Sequence, residues 1–107
     1  MNRDEEADLV RQAADGLTDI YGPDWPSWVR LSRLSMLSMR NCVLAQVETR
    51  SGLTIPHDKL PFFSGVGRLY RAHVDTRAFV VRREESTRRR RAAWKREIRK
   101  RRKEARS

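Results

Sequence analysis

The stretch Thr87-Arg-Arg-Arg-Arg-Ala-Ala-Trp-Lys-Arg-Glu-Ile-Arg-Lys-Arg-Arg-Lys103 decides how the chain divides. Residues 83–107 hold 13 Arg/Lys against 4 Glu, a local net charge of +9 in a 107-residue chain whose total is +10. A packed core cannot absorb that much like charge, and its self-repulsion is relieved only by solvent or by a polyanion. The local reading is helical. Trp94 and Ile98 stand one turn apart, with Thr87, Arg91, Arg101 and Ala105 near them, and Arg or Lys at 88, 89, 90, 95, 96, 99, 100, 102, 103 and 106 covers the rest. Glu84 with Arg88, Glu85 with Arg89 and Glu97 with Arg101 are favourable i, i+4 pairs, each worth a few tenths of a kcal/mol. Asp75 is an apt N-cap for a helix that begins near Thr76 and runs to about Ala105, roughly 45 Å at 1.5 Å per residue. Ser86-Thr87 is where it would most easily fray or bend.

Upstream of this helix the pattern is that of a small helical domain. Residues 4–21 place Val10, Ala14, Leu17 and Tyr21 on one stripe, widened by Leu9, Ala13 and Ile20. Asn2 with Glu5 has the form of a capping box, and Gly22-Pro23 is a stop. Gly16 costs that helix about 1 kcal/mol against alanine. The turn Pro23-Asp-Trp-Pro-Ser-Trp28 offers two indoles to plug a small core, a binding platform being the other reading. A second helix is expected over residues 35–48, with Met36, Met39, Val43 and Val47 aligned and Ser35 or Ser38 as N-cap. Residues 49–66 read as loop, punctuated by Gly52, Pro56, Pro61, Gly65 and Gly67 and anchored by Ile55, Leu60, Phe62 and Phe63. A short helical turn is expected around residues 68–73. The fold class expected is all-α: a small helical domain over 1–75 and a long basic helical tail over 76–107.

Charge is graded along the chain. Residues 1–24 carry 7 acids and 2 bases, and residues 25–82 carry 9 bases and 3 acids, so the two ends should attract each other when no partner is bound. The single cysteine, Cys42, excludes an internal disulfide and suggests a reducing compartment. The acidic N-terminus is unlike a signal peptide, and uninterrupted apolar runs reach only four residues, far short of the roughly 20 that span a bilayer. A cytoplasmic protein is expected, in the host bacterial cytoplasm if phage-encoded, with no membrane partner.

Chemistry-bearing residues are sparse. His57 and His73 lie far apart, Cys42 sits among apolar neighbours, and nothing has metal-ligand spacing. Gly65-Val-Gly67 lacks the third glycine and the Lys-Ser/Thr of a phosphate loop. No catalytic residue, metal or cofactor is expected. The basic helix is the one constellation with a mechanism. Arg88, Arg89, Arg90, Arg91, Lys95, Arg96, Arg99, Lys100, Arg101, Arg102 and Lys103 would hold phosphates of DNA or RNA, and Trp94 would stack on an exposed base. In the competing reading, Trp94 and Ile98 dock back onto the core. Twenty of the 24 basic residues are arginine, which suits bidentate phosphate contacts or reflects a GC-rich coding sequence.

Two resemblances bear on function. Trp28-Val-Arg-Leu-Ser-Arg-Leu-Ser35 followed by Asn41-Cys-Val-Leu-Ala-Gln46 resembles a pattern in small uncharacterised proteins of actinobacteria and their phages. Ser32 and Ser35 stand where aspartates are usual there, and Ala45 where glycine is. Thr87-Arg-Arg-Arg-Arg-Ala-Ala-Trp-Lys95 is similar to the arginine-rich peptides of phage antitermination proteins, in which a bent helix grips an RNA hairpin and a tryptophan stacks on its loop. That resemblance implies phosphate contacts at residues 88–91 and stacking at Trp94, although here the motif is C-terminal and a further basic cluster follows it. The expected function is that of a small basic nucleic-acid-binding accessory or regulatory protein. The alternative is a phage-encoded interaction protein that inhibits an acidic host protein through the Trp25/Trp28 surface or the tail.

Overall fold

Asn2 starts the first helix: its side-chain oxygen accepts the Glu5 N–H at 2.9 Å, and Asp4, Glu5 and Glu6 in the first turn suit the positive end of the helix dipole. This computed structural model describes residues 2–38, 40–53, 61–81 and 84–106. They form four α-helices, α1 (Arg3–Tyr21), α2 (Val43–Ser51), α3 (Pro61–Arg71) and α4 (Glu84–Ala105), with 3-10 turns at Trp25–Trp28, Leu31–Arg33 and Thr76–Ala78. The fold is all-α, and no strand occurs among the described residues. Gly22, at φ 89°, ends α1 and donates its N–H to Thr18.

α1 buries Val10, Ala13, Ala14 and Leu17 against α4. Glu6 of α1 meets Arg90 of α4, and Asp15 meets Arg101, so the two helices run parallel. Trp25, fully buried, donates its indole N–H to Thr18 Oγ1 at 2.9 Å, while Trp28 is only half-buried.

Helix α2 begins at Val43, not near Ser35. Ser35 Oγ accepts from Leu37 N, and Ser38 Oγ accepts from the Arg40 and Asn41 amides at 3.1 Å, so both serines bind the backbone into turns that compete with a helix. The N-cap is Cys42, whose sulfur accepts from Ala45 N at 3.4 Å. Met36 still reaches the core from the preceding loop, whereas the expected contribution of Met39 lies outside the described residues.

Helix α3 takes in residues 61–66 of the expected loop and runs on through the start of the turn expected at 68–73. Pro61 opens it, a position where the missing N–H costs nothing, and Phe62, Gly65 and Leu69 face inward. Gly65 does not break the helix because packing needs it: a Cβ there would stand 2.8 Å from Leu44 Cδ1. Ile55, Leu60 and the other expected anchors over 54–60 lie outside the described residues.

The final helix is also shorter than expected. Asp75 does cap, accepting from Arg77 N at 2.9 Å, but it caps only the 3-10 turn Thr76–Ala78. Phe79, Val80 and Val81 are not helical, and α4 starts at Glu84. Burial of Ala78 and Phe79 explains the break: this segment fills the core rather than extending a helix.

Gly16 packs directly under Val74, where a Cβ would lie 2.2 Å from Val74 Cγ2. Gly16→Ala gains about 1 kcal/mol of helix propensity but overpacks a stiff β-branched neighbour at a cost of about 1–3 kcal/mol. We expect a net loss of about 1 kcal/mol, read as a lower urea midpoint. A stabilised Gly16→Ala protein would show that the contact relaxes freely.

Candidate nucleic-acid interface

Helix α4 has an inner and an outer face, and the twelve residues expected to touch nucleic acid divide between them. Trp94 is fully buried. Its indole N–H donates to Ala78 O at 2.5 Å, its ring meets Trp25 edge-on at 6.2 Å between centroids, and Phe79 lies 5.2 Å away. Ile98 is buried with it. The expectation that Trp94 stacks on a base is therefore corrected: the same i, i+4 pair that interrupts the basic run is the stripe by which α4 enters the core. One buried cluster joins Ala78, Phe79, Ala93, Trp94 and Ile98 to the residues of α1, α2 and α3, across the boundary expected at residue 75.

Three arginines also turn inward. Arg90 is 5% exposed; its Nε lies 2.9 Å and its Nη2 3.2 Å from the two Glu6 carboxylate oxygens, and its Nη1 donates to Arg77 O. Arg101 joins Asp15 at 2.6 Å and Glu97 at 3.3 Å, and reaches Thr18 Oγ1. Arg102 donates to Pro26 O at 2.8 Å and to Val29 O. Partial burial, with Arg106 and Arg99 close by, holds the Arg102 pKa below the usual guanidinium value. The acidic-to-basic gradient of the sequence thus appears as contacts between α1 and α4.

The outer face remains strongly basic. Arg88, Arg89, Arg91, Arg96, Arg99, Lys100 and Lys103 are exposed, as is Arg106, which was not among the expected contacts; Lys95 is half-buried. Glu104 is the one exposed carboxylate among the described side chains of α4. From Arg88 to Arg106 the helix advances roughly 27 Å.

Outside α4, the arginines at 30, 33, 40 and 50 gather around Trp28, a grouping the charge count over 25–82 did not resolve. The signal was present: no carboxylate occurs between Asp24 and Glu48. Burial of Trp25 removes it from the expected Trp25/Trp28 contact surface.

Other titratable groups serve the fold. Glu48 is fully buried on α2, where it accepts from Tyr21 of α1 and Arg68 of α3 and so ties three helices together. Burial and the adjacent carboxylate push the Tyr21 pKa well above the phenolic range. Burial also pushes the Cys42 thiol up to about 11. His73 is exposed, and His57 lies outside the described residues. Among the described residues no three His, Cys, Asp or Glu side chains gather as a metal site, and no helix is long and apolar enough to cross a membrane. Comparison with protein-family models, curated proteins and solved structures finds no match.

Proposed function

We propose that this chain is a nucleic-acid-binding accessory protein of phage or bacterial origin that holds phosphate backbones on the outer face of α4. The observation that carries this reading is the sorting of charge on that helix. Arg90, Arg101 and Arg102 bind carboxylates or carbonyls of the protein, while Arg88, Arg91, Arg96, Arg99, Lys100 and Arg106 make no ion pair among the described residues. A one-sided ridge of cations replaces the all-round grip anticipated from the tail sequence. Such a ridge contacts phosphates, which position a strand, and leaves base edges unread. Binding through it is weakly sequence-selective.

The test is a salt titration of affinity, read by fluorescence anisotropy on a labelled oligonucleotide. With about 6 phosphates engaged, log K should fall against log salt with a slope of about −5 on duplex DNA or about −4 on a single strand. Replacing Arg88, Arg96, Arg99 and Lys100 together by Gln should flatten the duplex slope by between about 3 and 4. The melting temperature should hardly move, because all four side chains are exposed. Undiminished binding by the quadruple variant would overturn the proposal.

A further inference from the structure

A cleft of about 290 Å³ opens between the Leu31–Arg33 turn and α2, lined by Trp28, Arg30, Arg33, Arg40 and Arg50. We propose that it binds a phosphate ester carrying a planar base, with the phosphate among the arginines and the base against the half-buried Trp28 indole.

Three observations point there. First, the four guanidinium groups make no ion pair and no hydrogen bond among the described residues, whereas Arg11, Arg68, Arg77, Arg90 and Arg101 all have carboxylate partners. The nearest carboxylate along the chain on the α2 side, Glu48, is buried and turned toward Tyr21 and Arg68. Four like charges thus converge on one concavity with no counter-charge supplied by the described residues. Arginine forks match phosphate oxygens in pairs, so an anion of that geometry is the complement.

Second, the rims are held in place before any ligand arrives. Gln46 of α2 accepts from Arg30 N at 2.6 Å and donates to Asn41 O at 2.9 Å, bridging both sides of the cleft. Arg33 closes its turn by donating to Arg30 O at 3.1 Å, and the Arg40 and Asn41 amides are fixed on Ser38. Backbone held this way reduces the ordering cost of binding.

Third, Trp28 is the one indole of the chain that is not buried, and its N–H has no partner among the described residues. A base stacks on such a ring in a sequence-tolerant way. The cleft also adjoins α4 through the chain: Val29, whose carbonyl takes Arg102, precedes Arg30. A nucleic-acid strand bound to the protein is one source of such a phosphate ester. In that source of ligand the inference rests on the proposed function; a free mononucleotide offers the same chemistry.

The experiment titrates the full chain with a nucleoside 5′-monophosphate, with inorganic phosphate and with a short single-stranded oligonucleotide, reading tryptophan fluorescence and the indole N–H signals by NMR. The mononucleotide should perturb the Trp28 signal and leave those of Trp25 and Trp94 in place. Arg33→Gln with Arg50→Gln should weaken it about tenfold or more, and Trp28→Leu should bring it down to the level of inorganic phosphate. The quadruple α4 variant should bind the mononucleotide as the parent does. Absence of mononucleotide binding, or binding unaffected by the Arg33/Arg50 changes, overturns the cleft and leaves the α4 reading standing. Equal affinity for inorganic phosphate and mononucleotide overturns the role of Trp28 and with it the ligand class. Mononucleotide binding without salt-dependent oligonucleotide binding supports the cleft as a free-nucleotide site and overturns the α4 reading instead.

Discussion

Trp94→Ala is expected to cost the fold about 3–5 kcal/mol, lowering the melting temperature by roughly 15–30 °C for a chain of this size. The substitution empties the space between Trp25 and Phe79 and leaves Ala78 O without its donor. A domain with about 5–15 kcal/mol in total does not tolerate that loss easily. Trp94→Phe keeps most of the ring volume and should cost far less, mainly the lost N–H bond, about 1–3 kcal/mol. Urea unfolding followed by far-ultraviolet circular dichroism checks both, since it does not depend on the indole signal. At temperatures where Trp94→Ala remains folded, its oligonucleotide affinity should match that of the parent. An unchanged melting point with weakened binding would return Trp94 to the role of a stacking residue.

The same contact explains why deleting residues 83–107 is not a clean test of the basic tail. Such a deletion removes Ala93, Trp94 and Ile98 from the buried cluster together with the charge. Loss of binding would then report loss of the fold. Point changes on the outer face of α4 separate the two.

Much of this architecture was legible in the sequence, and the failures share a cause. The α1 stripe, its Asn2 cap and its Gly22 stop are local signals, and the structure carries them out. The Ser35 and Ser38 turns were missed because period alone cannot show that a serine side chain has captured the backbone. Gly65 and Gly67 were read as breakers, but the approach of Leu44 makes Gly65 a packing requirement visible only once α2 and α3 are together. In α4, charge density outweighed two apolar residues in the reading, although Trp94 and Ile98 at i, i+4 were the decisive signal for docking. Which arginines turn inward could not be read from the tail by itself, because their partners Glu6 and Asp15 lie more than 80 residues away.

Glu6→Ala should therefore be strongly disruptive although it removes no apolar side chain. Its side chain is 5% exposed and that of Arg90 is 7% exposed. Removing one member of a buried pair leaves the other charge short of solvation, at a cost of about 3–5 kcal/mol. Replacing both, by Glu6→Leu with Arg90→Met, removes the charge and keeps apolar volume, and should recover most of that loss. Urea midpoints of Glu6→Leu, Arg90→Met and the double variant form the cycle that measures it. Glu6→Ala within about 1 kcal/mol of the parent would mean that the pair is solvated enough to be dispensable. Salt dependence supplies the second half of the argument. Arg90 faces Glu6 of α1 and the Arg77 carbonyl rather than the outer face, so the double variant should retain the full slope of log K against log salt. A slope shallower by about 0.9 would place Arg90 among the phosphate contacts after all. The basic helix would then spend on nucleic acid a charge that the folded chain now uses to hold α1 against α4.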